Sequence, residues 1–296
     1  MPIHSRITSI NSFSTAKTER VPIVSEYIED YFNVKTNRPL DSTVPNKIET
    51  TGIDWTKAAD GGTGEAEGLM WLKKLYAIAD HALYPREKSG LSIDIGGSPV
   101  VVGVGSMYIQ SNTDSGASEG FGNMSGYTND AGIKFEKDAF TIQRSSLINN
   151  VDNSGSTMDP LVYYSFKKKK KFFDIKVYEG NQTAGRVINH DLDCEPGCVM
   201  IKCLSGTQNW IVYHKYGSGA DSDPSVAYKY YYALNSTANA NFMGAGLIQP
   251  VGTTHVTLNV DINQINASGQ TYMIMFFADA GSGGFGDDGS LDGIAC

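Results

Sequence analysis

The sequence predicts a mostly β protein, on two observations of composition and one of pattern. Among its 296 residues are 32 glycines, and 16 tyrosines with 12 phenylalanines supply many aromatic side chains. Short apolar runs are separated by loops of Gly, Asn, Ser and Thr, and long helical patterns are few. Aromatic residues favour strands, and Gly and Asn favour turns. We therefore expect an N-terminal extended arm plus one helix, followed by tandem antiparallel β-sandwich-like repeats.

Residues 171–180 are the stretch around which the repeats are organised. Apolar Phe173, Ile175 and Val177 alternate with polar residues, and a Glu-Gly-Asn turn ends the run. A period of two is the pattern of a half-buried strand. We interpret this stretch as the first strand of a module.

Landmarks on either side of that strand return in the same order, which indicates two imperfect copies of one unit. In both copies a polar Gly turn leads into an aromatic strand. The separations are nearly constant: Gly155 to Gly269 (114 residues), Ile142 to Leu258 (116) and Ile175 to Ile294 (119).

The length is sufficient for two or three hydrophobic cores. The predicted segments are an arm at 1–60, a helical oligomerisation segment at 61–89, a degenerate first β-repeat at 90–171, a second β-repeat at 172–280, and a linker with the start of a possible third repeat at 281–296. Strands are predicted at 91–95, 100–104, 107–110, 133–135, 139–142 and 161–166 in the first repeat, and at 173–178, 199–203, 210–214, 228–234, 255–260 and 272–277 in the second.

The helix is predicted from a heptad-like series of apolar residues, with Pro85 as its stop. Its members, the candidate oligomer contacts, are Leu69, Leu72, Tyr76, Ala79 and Leu83. Two heptads are short for a coiled coil, so an ordinary helix packed on a domain is the equal alternative. The arm and helix have little other apolar material, so we expect them to pack against copies of the chain in a homotrimer or another symmetric oligomer.

Charge and cysteine usage exclude several classes. A net charge of −8 with 24 basic residues argues against nucleic-acid binding. No apolar run approaches the roughly 20 residues of a membrane span, and no signal-peptide core is seen. A zinc site formed by Cys194, Cys198 and Cys203 is conceivable, but the spacing fits buried thiols in and beside a strand better. We therefore predict no metal and no cofactor.

Catalytic signatures are missing from the sequence, so we do not predict an enzyme. The carboxylate pairs Asp191/Asp193, Asp221/Asp223 and Asp287/Asp288 could serve a glycosidase or bind calcium, but their Gly-, Ser- or Pro-flanked turns favour local hydrogen bonding. Five consecutive lysines, 167–171, could bind an anion, yet a solvated strand edge or linker is the commoner use of such a run.

Aromatic residues in the second repeat are the candidate ligand-binding or interface residues. Alternation along the strand at 210–214 sends successive side chains to opposite faces, so one set packs in the core and the other can lie on a surface. The candidates are Trp210, Tyr213, Tyr216 and Tyr230. Sugars and proteins both bind such platforms, although packing in a core or interface is commoner.

Several segments together resemble a known module. They are 151–155, 172–181, 188–192, 196–202, 209–214, 234–237 and 265–272. The series is similar to the tandem β-module of structural and tail-fibre proteins of bacteriophages, especially phages of marine bacteria and cyanobacteria. The resemblance covers about 90–296 and is best in the second repeat; the first lacks a counterpart of the Asn209-Trp210 strand. Relatives often carry a lectin-like sandwich ahead of the module, which is not evident here.

The resemblance implies a virion structural protein of the phage tail, most simply a tail fibre or adjacent tail component involved in host adsorption. It implies no catalytic residues. We expect other tail proteins to bind residues 1–90, a host surface receptor to be a further partner, and no nucleic acid or membrane insertion. A depolymerase of host surface polysaccharide, or a head or baseplate decoration protein, is the alternative.

Overall fold

The computed structural model describes most of the chain between residues 28 and 279. The described ranges are 28–37, 46–60, 62–75, 81–95, 98–101, 107–119, 133–142, 160–217, 229–238, 240–242, 246–259 and 262–279.

Strands dominate the described residues, as predicted. In chain order they are β1 (Phe32–Asn37), β2 (Asn46–Asp54), β3 (Gly68–Lys74), β4 (Ala82–Arg86), β5 (Ser92–Ile95), β6 (Ser98–Val101), β7 (Met107–Gln110), β8 (Ser118–Glu119), β9 (Ile133–Ile142), β10 (Leu161–Lys167), β11 (Phe173–Glu179), β12 (Arg186–Asn189), β13 (Pro196–Cys203), β14 (Ile211–His214), β15 (Tyr230–Ala233), β16 (Asn241–Phe242), β17 (Ile248–Val251), β18 (His255–Leu258) and β19 (Thr271–Ala278). A 3-10 turn (Ile28–Asp30) precedes β1, and a single α-helical turn, α1 (Asn263–Asn266), precedes β19.

Two six-stranded antiparallel sheets form the centre of the molecule. The first sheet has the order β1-β10-β3-β4-β7-β8, and the second sheet has the order β11-β19-β13-β14-β15-β16. In both, the first strand of the unit pairs with the last, and the remaining strands follow in chain order. The pair β2-β9 accompanies the first sheet, and the three-stranded sheet β12-β18-β17 accompanies the second. The mostly β class predicted from the sequence is therefore confirmed.

Backbone hydrogen bonds outside the strand ladders fix which residues of the two units are equivalent. Three bonds of the first unit each have a counterpart in the second. Lys167 N donates to Tyr31 O as Ala278 N does to Phe172 O, and Leu75 N donates to Pro160 O as Leu204 N does to Thr271 O. Lys168 N donates to Glu67 O as Asp279 N does to Glu195 O. Counting from them along the paired strands makes β1 equivalent to β11 and β10 equivalent to β19. Ile142 and Leu258, one of the intervals noted in the sequence, end β9 and β18. This agreement of order and register is what a duplicated unit would produce.

Both central sheets bury side chains on both of their faces, because alternate side chains of a strand point in opposite directions. On β3, Met70 and Leu72 join the core beside β2-β9, whereas Leu69 faces the second sheet. On β19, Ile274 lies in the core beside the three-stranded sheet, and Met273 faces the first sheet. The layers therefore stack as β2-β9, first sheet, second sheet and three-stranded sheet. We call the apolar contact between the two six-stranded sheets the inter-sheet core.

The helix predicted around residues 69–83 is wrong. Gly68–Lys74 and Ala82–Arg86 are the antiparallel strands β3 and β4, with Leu72 opposite Ala82. A strand buried on both faces reads as a continuous apolar run, which periodicity cannot distinguish from a buried helix. Tyr76 and Ala79 lie outside the described residues.

The N-terminal arm is also partly incorporated into the fold. Phe32–Asn37 pairs with β10, and Asn46–Asp54 pairs with β9, so these segments are not extended over a partner. The first sheet thus begins well before residue 90, where the first repeat was predicted to start. Residues 281–296, the predicted linker and third repeat, are outside the described ranges.

Candidate functional site

The junction between the two units contains a cluster of phenylalanines. Phe166 lies against Phe32, Phe173 and Phe277, with ring centroids 4.9, 5.5 and 5.8 Å away respectively. Phe173 also contacts Phe277 at 5.1 Å. Because Phe32 is equivalent to Phe173, and Phe166 to Phe277, each unit contributes the same pair of residues. Aromatic pairs in this distance range add to the stabilisation from burial alone.

The lysine run crosses this junction and pairs with the chain's own carboxylates. Lys168 Nζ lies 2.9 Å from Asp191 Oδ2, 3.1 Å from Asp174 Oδ1 and 3.3 Å from Glu67 Oε2. Lys176 Nζ donates to the same Asp191 oxygen at 2.5 Å. Glu67 belongs to the first unit and the two aspartates to the second, so Lys168 links the units electrostatically.

The buried member of this network is Asp174, on β11. Its Oδ1 accepts a hydrogen bond from the Ile175 amide at 2.8 Å, and its Oδ2 accepts one from the Asp191 amide at 2.7 Å. Hydrogen bonds from Lys176, opposed by burial and assisted by Lys168, lower the pKa of Asp191 to about 2. Burial lowers the pKa of Lys168, but Asp174, Asp191 and the other partners outweigh it, so the pKa is raised overall.

The neighbouring lysines are engaged in the same way. Lys167 Nζ donates to the Asp54 carbonyl at 2.9 Å, and Lys169 forms an ion pair with Asp60 and lies over the Tyr31 ring. Lys167 and Lys169 are both buried. The prediction of a solvated edge or linker is therefore wrong for these two residues, because their ammonium groups bind partners inside the fold.

Lys202 is another buried cation, located on β13 at the edge of the inter-sheet core. Its Nζ donates to the carbonyls of Asp114, at 2.8 Å, and Gln208, at 2.5 Å. Asp114 belongs to the first unit and Gln208 to the second, so this ammonium also connects them. Burial lowers the pKa of Lys202 to about 8, since the charged form is desolvated.

The predicted aromatic candidates separate into buried and surface residues. Trp210 is buried, and its Nε1 donates to the Gln110 carbonyl at 2.8 Å; Tyr213 is buried in the core of the second unit. Both side chains pack inside the chain, so the ligand-binding alternative is wrong for both, and the commoner alternative of core packing is what the structure has. Tyr216 is 60% exposed and Tyr230 is half-buried.

One exposed aromatic residue was not predicted from the sequence. Phe242, on the edge strand β16, is 63% exposed, and its ring lies 5.2 Å from that of Tyr230. His214 is exposed on β14 and its ring is 6.3 Å from that of Tyr216. Tyr230, Tyr216, His214 and Phe242 together form what we call the aromatic face. The isolated Asn-Phe dipeptide of β16 has no alternation that could have indicated it.

The three predicted oligomer contacts that the structure describes are core residues of the chain. Leu69 and Leu83 lie in the inter-sheet core, and Leu72 lies beside β2-β9. They stabilise the fold of a single chain, and the predicted helical seam between copies is therefore wrong for these three residues.

Carboxylate pairs and cysteines are structural where the structure describes them. Asp191 forms ion pairs with lysines, as described above, and Asp193 Oδ2 lies 3.7 Å from Lys170 Nζ. Cys194 and Cys203 are buried free thiols, and burial raises the pKa of Cys194 to about 11. Within the described ranges, no three His, Cys, Asp or Glu side chains converge in a way that could hold a metal ion. The pairs Asp221/Asp223 and Asp287/Asp288, and Cys296, lie outside those ranges.

Comparisons with known proteins do not place the chain in a family. No family model matches it, and neither does any curated protein or solved structure. None of the helices that the structure describes is both long and apolar enough to cross a membrane.

Proposed function

We propose that this chain is a structural protein of a bacteriophage particle, a tail fibre or an adjacent tail component that takes part in host adsorption. One observation supports this proposal above the others: two units with the same strand order are packed through equivalent faces into one stack. Stacked, repeated β-units suit a component that must transmit position and force along an appendage, because each unit contacts its neighbour over a continuous buried surface.

The network at the junction supports the same role. The side chains of the inter-sheet core are buried, and Lys168 and Lys202 bind groups from both units. Interfaces between units in one chain allow relative motion unless they are large and hydrophobic. A buried core reinforced by the half-buried Lys168 and the buried Lys202 therefore favours a rigid stack. The resemblance of the sequence to phage tail modules suggests the kind of particle in which such a stack would be used.

Attachment would occur on the side of the first unit, which includes the described part of residues 1–90, and the second unit would project toward a host surface receptor. We propose no catalytic step and no cofactor. The lowered pKa of Asp191 makes it a poor general acid, since that role needs a carboxyl that is protonated near neutral pH.

Quantitative mass spectrometry of purified phage particles tests the proposal. The chain should co-purify with the particles through a density gradient at a constant ratio to the major capsid protein. A replication enzyme encoded by the same phage is the matched control, and it should be lost during purification. Recovery of this chain from infected-cell lysate but never from particles would exclude a virion role.

A further inference from the structure

The two six-stranded sheets are stacked with an offset, which leaves a different part of each uncovered. The inter-sheet core is formed by residues of β3, β4 and β7 on one side and of β11 and β19 on the other: Leu69, Leu83, Met107, Ile109, Phe173, Ile175, Met273 and Met275. Trp210, directly before β14, already lies over the end of β7, where it binds Gln110. Within the described residues, β15 and β16 contribute nothing to this core, and β1 reaches it only through Phe32 at its start, whose ring lies 4.9 Å from that of Phe166. The rest of β1 extends beyond the overlap on one side, and β15-β16 extend beyond it on the other.

Equivalent residues show what the offset changes on the first strand of each unit. Val34 on β1 is equivalent to Ile175 on β11, and both point toward the space between the sheets. Ile175 is 0% exposed, because the first sheet covers it, whereas Val34 is 46% exposed. Val34 lies opposite Tyr164, whose ring is 6.2 Å from that of Trp71 at the border of the inter-sheet core. We call Val34 and Tyr164 the β1 face.

The opposite end of the stack shows the reverse difference. Met107 on β7 is equivalent to Tyr230 on β15, as follows from the pairing of β7 with β4 and of β15 with β14. Met107 is buried in the inter-sheet core, but Tyr230 is half-buried and its neighbour Phe242 is largely exposed. The aromatic face is thus the uncovered continuation of the second sheet's inner surface.

We propose that the aromatic face of one copy of this chain docks on the β1 face of a second copy. The contact repeats between chains the packing that already joins the first and second sheets within one chain. We call this contact the joint: the projecting strands β15-β16 of one molecule cover the projecting strand β1 of the next molecule. The inference deepens the proposed function and rests on it for the biological setting, because it names the surface through which copies of a tail component associate.

A second copy is the occupant that the geometry favours, since both faces are continuous with an established interface. The inner surface of the first sheet already accepts the inner surface of the second, through Leu69, Leu83 and Met107. The uncovered parts present equivalent positions, since β1 corresponds to β11 and β15 corresponds to β7. Because the two faces differ, the contact is heterologous and generates a closed ring, or a chain of copies if the rotation does not close.

Charge substitutions on each face test the joint in the full-length protein. Sedimentation velocity over a range of concentrations would compare wild type with Val34→Asp and Phe242→Asp. Val187→Asp is the matched control, because Val187 is 51% exposed on β12 and lies outside both faces. We expect wild type and the control to associate, and each face variant to weaken association about 30-fold or more, as loss of a central interface residue does.

Mixing the two face variants provides the decisive measurement. Val34→Asp retains an intact aromatic face and Phe242→Asp retains an intact β1 face, so the mixture has one working joint and should form a 1:1 dimer. Wild-type protein that stays monomeric at every concentration, an oligomer unaffected by both substitutions, or a mixture without heterodimer would each overturn the inference. Thermal unfolding midpoints are measured for all variants and for the milder substitutions Val34→Thr and Phe242→Ser. A variant that loses association but keeps its unfolding midpoint has lost the joint and not the fold.

The two proposals fail in different ways. If the chain is found in phage particles but is monomeric in every condition, the joint is excluded and the structural role is retained. A chain that forms the joint but is absent from particles retains the interface and removes the virion assignment.

Discussion

The first and second sheets have the same strand order, yet equivalent residues in them have different surroundings. Ile175 is fully buried, whereas its equivalent Val34 is about half exposed. Lys202 is fully buried between the units, whereas its equivalent Lys73 is only half-buried. These differences in burial do not come from the position of the residue on its strand, since the compared positions are equivalent. Val34 is exposed because the second sheet lies over β3, β4 and β7 and not over the part of β1 that carries Val34. Lys202 is buried because the first unit lies over it, where its ammonium binds the Asp114 carbonyl. Burial at a given strand position therefore depends on how the units are stacked.

The largest predicted effect concerns the first-strand pair. Ile175→Ala should lower the free energy of unfolding by about 3 kcal/mol, because it removes buried methylene groups and leaves a cavity between the sheets. Val34→Ala, at the equivalent position, should change it by about 0.5 kcal/mol under conditions where the protein is monomeric. Equilibrium unfolding in urea measures both values.

Each variant controls for the other, since the strand type and the neighbouring backbone pairing are matched. Equal losses for the two variants would contradict the offset stacking, because they would mean that Val34 is as well covered as Ile175. A larger loss for Val34→Ala at high protein concentration than at low concentration would sharpen the comparison, since it would indicate that a second copy covers this position.

How far the sequence predicts this architecture depends on whether a strand has one polar face. The strand around Ile175 was predicted correctly, because its apolar and polar residues alternate. Strands β3 and β4 were predicted as a helix, since both of their faces are buried. Trp210 was named as a possible ligand-binding or interface residue for a related reason: alternation gives two faces but does not say what lies over each. Val34 and Phe242 could not be identified at all, because their exposure results from the offset between the sheets.

A second difference between the units lies in the junction network. Asp174 on β11 is equivalent to Asn33 on β1, so Asp174→Asn gives the second sheet the residue that the first has. We expect this substitution to lower the free energy of unfolding by about 2 kcal/mol, since a buried carboxylate that binds Lys168 and two amides becomes neutral.

Asp193→Asn is the control for that substitution. Asp193 and Lys170 are both more than half exposed at 3.7 Å, and an ion pair of this kind contributes at most about 0.5 kcal/mol. Urea unfolding at low and high salt measures the two variants. A loss for Asp174→Asn no larger than that for Asp193→Asn would show that the junction charges do not hold the units together.

The last predicted effect is a pH dependence carried by Lys202. Its folded-state pKa of about 8 is below the ordinary value of 10.5, so the unfolded chain binds more protons between these values. Stability therefore rises with pH in this window, and the cost of burying the charge is fully present below about pH 8. The unfolding free energy of wild type should accordingly increase relative to that of Lys202→Met between pH 8 and pH 10. Lys73→Met retains Lys202 and should keep the wild-type slope. A constant difference between wild type and Lys202→Met across this range would mean that Lys202 is no more desolvated than a surface lysine, and that its burial between the units does not distinguish it from Lys73.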